Sequence, residues 1–370
     1  MAYDAADMYA ELARVVCELG FHKKLGSLAL PYPHDAQLIL DRLTLRCLRS
    51  GHEPPKGLPD LMAWCTDPDA VPSVLGLPSG HGNGFAQPLI DPQRWMPTRT
   101  CLEWASRGPQ GTVEQEADDL VAQLAARAGT PGLRRRCLTF VGDHPSVVQR
   151  DRMTRGARWD TTVWHQVRHL YRPAPDHLVV DRTLLLCGTC GLPALTTPTS
   201  PSGGYRCERE ICPTDVEPRV VTDPAQALVL AQSLRAFVVI PRPTEKAVLE
   251  QLEQAGIRAV PLSRGPGVHR LTGERLTART MLVADRRQPV LLAYKAEALL
   301  GHLAEERLLV VVPGRAWDTP GYRAEFEAAV SRITAPGRIV LTKPEELVRQ
   351  ARAERTRTGT RAEGSTLTDA

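Results

Sequence analysis

The sequence predicts a chain of several domains, mostly helical in front and α/β behind, with a small metal-held module between. Three observations carry this. Four cysteines stand as Cys187-x2-Cys190-x16-Cys207-x4-Cys212 around a Gly/Pro/Ser-rich turn. Apolar residues recur at helical spacing through the first 128 residues. From Val220 onward, short apolar runs alternate with helical patterns. A length of 370 residues leaves room for two or three separate cores.

Composition narrows the function classes. No apolar run reaches the roughly 18 residues that a membrane span needs. The start, MAYDAADMYAELARVV, carries acids and no basic leader, so a cytoplasmic protein with no membrane partner is expected. Net charge is only +4, but it is unevenly spread. Residues 131–172 hold nine arginines against three aspartates. Past Arg349 come Arg352, Arg355, Arg357 and Arg361. This local excess suits nucleic-acid contact, and an ordinary solvated face accounts for it equally well.

Residues 1–128 read as a helical domain. Met8, Leu12, Val15, Val16 and Leu19 make one stripe, stopped by Gly20. Ala36, Ile39, Leu40, Leu43 and Cys47 make a second, closed by Gly51. Leu58, Leu61, Met62 and Trp64 mark a short helix. Residues 66–111 are rich in Gly and Pro, and their GHGNG run at Gly80 to Gly84 reads as loop, because it lacks the Lys-Ser/Thr of a phosphate loop. Thr112 and Gln115 resemble a capping box before a helix with Ala117, Leu120, Val121 and Leu124 inward. His22, His34, His52 and His81 are isolated and read as structural. Cys17, Cys47, Cys65, Cys101 and Cys137 are scattered singly and read as small buried hydrophobes.

Residues 129–182 read as a short helix LRRRCLTFV, a turn and a second short helix in HPSVVQRDRM, and a third helix WDTTVWHQVRHLY, then a hairpin turning at Asp181-Arg182. That is the outline of a winged helix. Its third helix would face nucleic acid with Arg158, His165, Arg168 and His169. Residues 183–215 carry the cysteines Cys187, Cys190, Cys207 and Cys212. Four thiolates at this spacing suit one tetrahedral, structural zinc ion, a zinc ribbon. Two disulfides or four unrelated thiols are the alternatives.

Residues 220–354 read as α/β, and residues 355–370 as a disordered tail. A helix at 224–234 leads to a strand AFVVI. A helix at 244–255 follows, then strands IRAVPL, TARTMLVA and PVLLAY, with RGPGVHRLTGER as a loop between the first two. Helix KAEALLGHLA, strand RLLVVVPG, helix GYRAEFEAAVSRI and a last strand and helix complete the chain. Helix, three strands, helix, strand is the core order of the restriction-endonuclease-like fold, whereas a Rossmann fold alternates throughout.

Several stretches carry a family resemblance. They are PYPHDAQLILDRL with GHEPPKGLPDLMAWC, then LTFVGDHPSVV, HLYRPAPDHLVV and LLLCGTCGLPAL, then RLLVVVPGRAWDTPGYRAEF and IVLTKPEELV. The chain resembles, over nearly its whole length, the restriction-endonuclease-like proteins of PIWI-type three-gene defence islands. The resemblance implies a defence role against phage or plasmid DNA. It also implies DNA or an RNA–DNA hybrid as ligand, with a PIWI-like protein and a helicase as partners. An active member would hold Mg²⁺ on an Asp and an Asp/Glu-x-Lys pair on adjacent strands. Here Lys295 stands at the motif lysine, but the acid's position is Ala293. Asp285, Glu297 and the loop residue Glu274 are the nearest carboxylates. Two readings stay open: a degenerate, nucleic-acid-binding nuclease fold, or a Mg²⁺-dependent endonuclease using Asp285, Glu297 and Lys295. A winged-helix transcription regulator is a third.

Overall fold

The computed structural model describes residues 4–22, 25, 28–77, 87–107, 112–148, 160–196, 205–213, 215–262, 265–273, 276–303, 307–335 and 337–349. The chain forms two compact units that divide between Ile240 and Pro241.

The first unit opens with the helices its apolar stripes call for. They are α1 (Ala5–His22), α2 (His34–Ser50), α3 (Leu58–Trp64), α4 (Ala70–Leu75), α5 (Arg99–Trp104), α6 (Thr112–Ala128) and α7 (Pro131–Asp143). In α2 the five buried residues are the expected Ala36, Ile39, Leu40, Leu43 and Cys47, and Gly51 ends it in the left-handed region at φ 74°. The Gly- and Pro-rich stretch of 66–111 has regular structure among its described residues. It contains α4, α5 and a hairpin of β1 (Ile90–Asp91) with β2 (Met96–Pro97). The GHGNG run, like the tail beyond residue 349, lies outside the described residues.

In the middle, the later part of the HPSVVQRDRM stretch, expected as a turn and a second short helix, lies outside the described residues from 149 onward. Its start, Ser146–Val148, forms a strand, β3. It pairs with β10 (Ala227–Leu230), whose other edge takes β4 (Tyr171–Pro173). Residues 227–230, read as helix, are therefore a central strand. The expected strand AFVVI is instead a wide π turn, Arg235–Val239, continuing the short helix α9 (Gln232–Leu234). The expected third helix is present as α8 (Thr161–Val167), capped by Asp160, whose carboxylate accepts from the Thr162 and Val163 N–H groups. Phe140 of α7 and Trp164 of α8 approach with ring centroids 6.2 Å apart, and Trp164 meets Tyr171 at 5.4 Å. The hairpin is also present: β5 (Val179–Val180) and β6 (Thr183–Leu186) turn at Asp181 and Arg182, both at positive φ. It belongs to a sheet with β7 (Pro193–Thr196), β8 (Tyr205–Cys207) and β9 (Arg219–Val221).

The second unit is a sheet between two helical layers. Strand order is β11 (Arg258–Pro261), β12 (Val268–Gly273), β13 (Leu276–Val283), β14 (Leu308–Val311) and β15 (Ile339–Thr342). The first three are antiparallel neighbours, while β13, β14 and β15 run parallel. Against one face, α11 (Pro289–Gly301) and α13 (Tyr322–Ile333) bury Leu292, Ala296 and Phe326 on Leu282 and Val310. Against the other, α10 (Arg242–Gln254) and a last helix, α14 (344–349), bury Val248, Leu252 and Leu347 on Met281 and Val311. A one-turn helix, α12 (Gly314–Trp317), follows β14. Two expectations are corrected here. PVLLAY is the first half of α11, and the GVHRLTG stretch read as loop is β12.

Candidate metal centre and the polar end of the second unit

The four expected cysteines come together. The ligand atoms of Cys187, Cys190, Cys207 and Cys212 lie within 4.8 Å of one another. Among the described residues, no other group of three or more His, Cys, Asp or Glu side chains converges this way. None of the nine cysteines is joined in a disulfide in this structure.

Two turns build the centre. In the first, Cys187 N–H donates to Leu192 O at 2.8 Å, and Gly191 N–H donates back to Cys187 O at 2.9 Å. Gly191 sits at φ 70°, where a side chain would strain the turn. Gly188 has a separate reason to be glycine: a Cβ there would lie 2.4 Å from Glu217 O. In the second turn, Glu210 N–H donates to Cys207 O at 2.9 Å. The Tyr205 hydroxyl lies 3.8 Å from Cys187 Sγ and accepts from Gly188 N–H.

Donor chemistry and spacing both fit a divalent ion. Cys190 Sγ and Cys207 Sγ are 3.8 Å apart. A tetrahedron with metal–sulfur bonds of about 2.3 Å has sulfur–sulfur edges of roughly 3.8 Å. Without a cation, neighbouring thiols of the cluster compete for charge. The Cys190 hydrogen bond holds Cys207 low, at about 5, against its burial. Burial and the neighbouring Cys207 push Cys212 up to about 12. One thiolate therefore forms readily and the next is resisted. A central cation would relieve that repulsion. All four ligands are protein sulfurs, so such a site is closed and holds structure rather than substrate.

The nucleic-acid candidates divide. His165 lies on α8, with Arg168 and His169 in the 3-10 turn that follows, and all three are exposed. Arg136, on α7, pairs with Asp160 at the start of α8. Arg158 lies outside the described residues, as does Glu274.

The nuclease candidates do not share one strand. Lys295 and Glu297 both lie in α11, so the alternation assumed for an acid-x-Lys strand does not apply. Two residues on a helix are about 200° apart around its axis, which points Lys295 and Glu297 to different sides. Ala293, at the expected acid's place, is fully buried in the apolar core. Asp285 follows β13 and is 3% exposed. It accepts from Thr244 Oγ1 at 3.2 Å and from the Arg315 guanidinium.

Sequence reading missed a second polar pair close to Thr244 in sequence. Glu245, in the first turn of α10, meets His269 Nε2 of β12 at 2.8 Å and Arg242 Nη1 at 3.0 Å. Burial alone would raise the Glu245 pKa, but the His269 hydrogen bond and Arg242 hold it below the usual range. The only available signal was His269 itself, and it lay in a stretch read as loop.

Residues 8–147 match the family described as pPIWI_RE three-gene island domain Y. The match runs from α1 into β3 and supports association with PIWI-RE islands. The cysteine module and the second unit lie beyond it. No curated protein and no solved structure matches the chain.

Proposed function

We propose that this chain is a nucleic-acid-binding component of a PIWI-RE three-gene defence island, acting beside a PIWI-like protein and a helicase. The family match over residues 8–147 is the observation that carries the reading. In this reading the cysteine module is a zinc ribbon that holds structure. The second unit is a restriction-endonuclease-like domain kept for binding or assembly. Its support is the run α10, β11, β12, β13, α11, β14, with β14 parallel to β13.

The exposed His165, Arg168 and His169, with the arginine-rich stretch around them, are the proposed contact to DNA or an RNA–DNA hybrid. Cations in such a place neutralise phosphates and release counterions, so binding weakens as salt rises. The Mg²⁺-endonuclease alternative needs Asp285, Glu297 and Lys295 to act together. Asp285 is already engaged by Arg315 and Thr244, which favours the non-cutting reading. The regulator alternative rests on the winged-helix outline, of which the third helix and the hairpin lie among the described residues.

Duplex binding across a salt series tests the proposal. Arg168→Ala should weaken binding to all sequences alike and reduce the salt slope by about one. Absence of binding even at low salt, together with no association with the island's PIWI-like protein, sinks it.

A further inference from the structure

Strand β8 and the turn after it alternate between two duties. Cys207 points into the cysteine cluster. Its neighbours Arg206, Glu208 and Glu210, two residues apart, reach the rest of the first unit instead. Arg206 pairs with Asp91 of β1 at 3.7 Å. Glu208 takes a two-pronged hydrogen bond from Arg235, at 2.7 and 2.8 Å. Glu210 accepts from the Arg99 N–H at the start of α5 at 3.1 Å. The partners are distant in sequence, and two of them belong to the stretch that matches the island family.

The energetics of the three contacts differ. The Arg235 side chain is 4% exposed, and its guanidinium also donates to Leu230 O. A buried guanidinium that loses its carboxylate is left uncompensated, so this contact is costly to break. Beside it lies a cavity of about 40 Å³, lined by Asp91, Arg94, Met96, Leu178, Arg206 and Gln232, among others. Glu210 also holds a positive φ of 63°, a conformation that a non-glycine residue keeps only when its surroundings enforce it. The cysteines at 207 and 212 bracket that residue.

We infer that the cysteine centre is a metal-dependent clamp. Ligation through Cys207 and Cys212 fixes the turn between them, and the fixed turn holds the hairpin of β1 and β2, the start of α5 and the Arg235 segment through Arg206, Glu208 and Glu210. This rests on the zinc reading of the four cysteines. By linkage, metal occupancy and docking of these segments are one coupled equilibrium, so each strengthens the other by the same factor.

The test uses the full chain, purified with its metal, and has two arms. In the first, metal content is measured, and amide hydrogen exchange is compared before and after a zinc chelator. Chelation should speed exchange by about tenfold or more at 90–104 and 230–240 as well as at 187–212. If exchange changes only at 187–212, the metal holds its own module and the clamp is wrong. If the chain carries no metal and 90–104 is protected regardless, the zinc reading falls and the clamp with it. In the second arm, zinc affinity is measured by competition with a chromophoric chelator. Glu208→Gln should lower it about tenfold, by reciprocity. Arg206→Gln, at a half-exposed position that should spare folding, should lower it less. Wild-type affinity in both variants overturns the clamp.

Discussion

The cysteine module and the sheet of the second unit reach stability by opposite routes. Around the cysteines the buried cluster is four residues, Cys187, Ala194, Tyr205 and Cys207, and two of those are candidate metal ligands. The second unit buries apolar layers on both faces of its sheet. A module with so little core depends on a point constraint, whereas the sheet spreads its stability over many contacts. The difference teaches where each can be broken: the module at one atom, the sheet only by opening a cavity.

The largest effect should come from the point constraint. Cys207→Ser should abolish stoichiometric metal retention through gel filtration, where the wild type should keep one ion per chain. Structural zinc in small modules is worth about 10–16 kcal/mol, so exchange protection across 183–221 should collapse. Protection at 241–349 should not change. Loss of protection in both regions would erase the contrast.

The matching cut in the sheet is Phe326→Ala. Phe326 is 1% exposed between α13 and the sheet. Removing its ring should cost about 3–5 kcal/mol in denaturant unfolding of the second unit. Metal content should stay at one ion per chain. A shift below about 1 kcal/mol would mean that this face is not packed as described.

A smaller effect follows from Glu245. Its carboxyl is held below the usual glutamate range in the folded state. A depressed folded pKa gives stabilisation that is complete above the unfolded pKa and is lost as pH falls through the folded one. The second unit should therefore lose the stability contributed by this group on acidification below about pH 4. Glu245→Gln should remove most of that loss from the stability-versus-pH curve. A variant curve parallel to the wild type would show that the His269 contact does not stabilise the fold.

The same contrast explains what the sequence made legible. Ligand spacing is a local signature, and the four cysteines converge as their spacing requires. The stripe of α2 is equally local and its buried set is the expected one. The second unit's element order was reached through two compensating errors. The apolar run Pro289–Tyr294 read as a strand because helix α11 is apolar on most sides near its start, packed against sheet and helix. Proline at the first helical position was the available sign of a helix. β12 read as a loop because its strand follows Gly265 and Gly267 and carries His269 and Arg270. Gly267 is required there: a Cβ would lie 2.4 Å from Val283 O of the paired strand. One strand lost and one wrongly gained left the order of helices and strands unchanged. In the first unit, tertiary pairing overrode local pattern. Residues 227–230 fill the slot between β3 and β4, which no local rule announces.

The smallest effect sharpens the comparison at the question of chemistry. Lys295 was singled out because it follows an apolar run in the manner of a nuclease lysine on a strand. Its run is a helix, its expected acid is the buried Ala293, and Glu297 is displaced around the axis. Lys295→Ala should then change unfolding stability by no more than about 0.5 kcal/mol. Plasmid incubated with Mg²⁺ or Mn²⁺ should look the same with variant and wild type. Nicking by the wild type that disappears in the variant would make the second unit a working nuclease. Lys295 and Asp285 would then have to meet in a conformation where Asp285 has left Arg315, and the distributed sheet would carry a point constraint of its own.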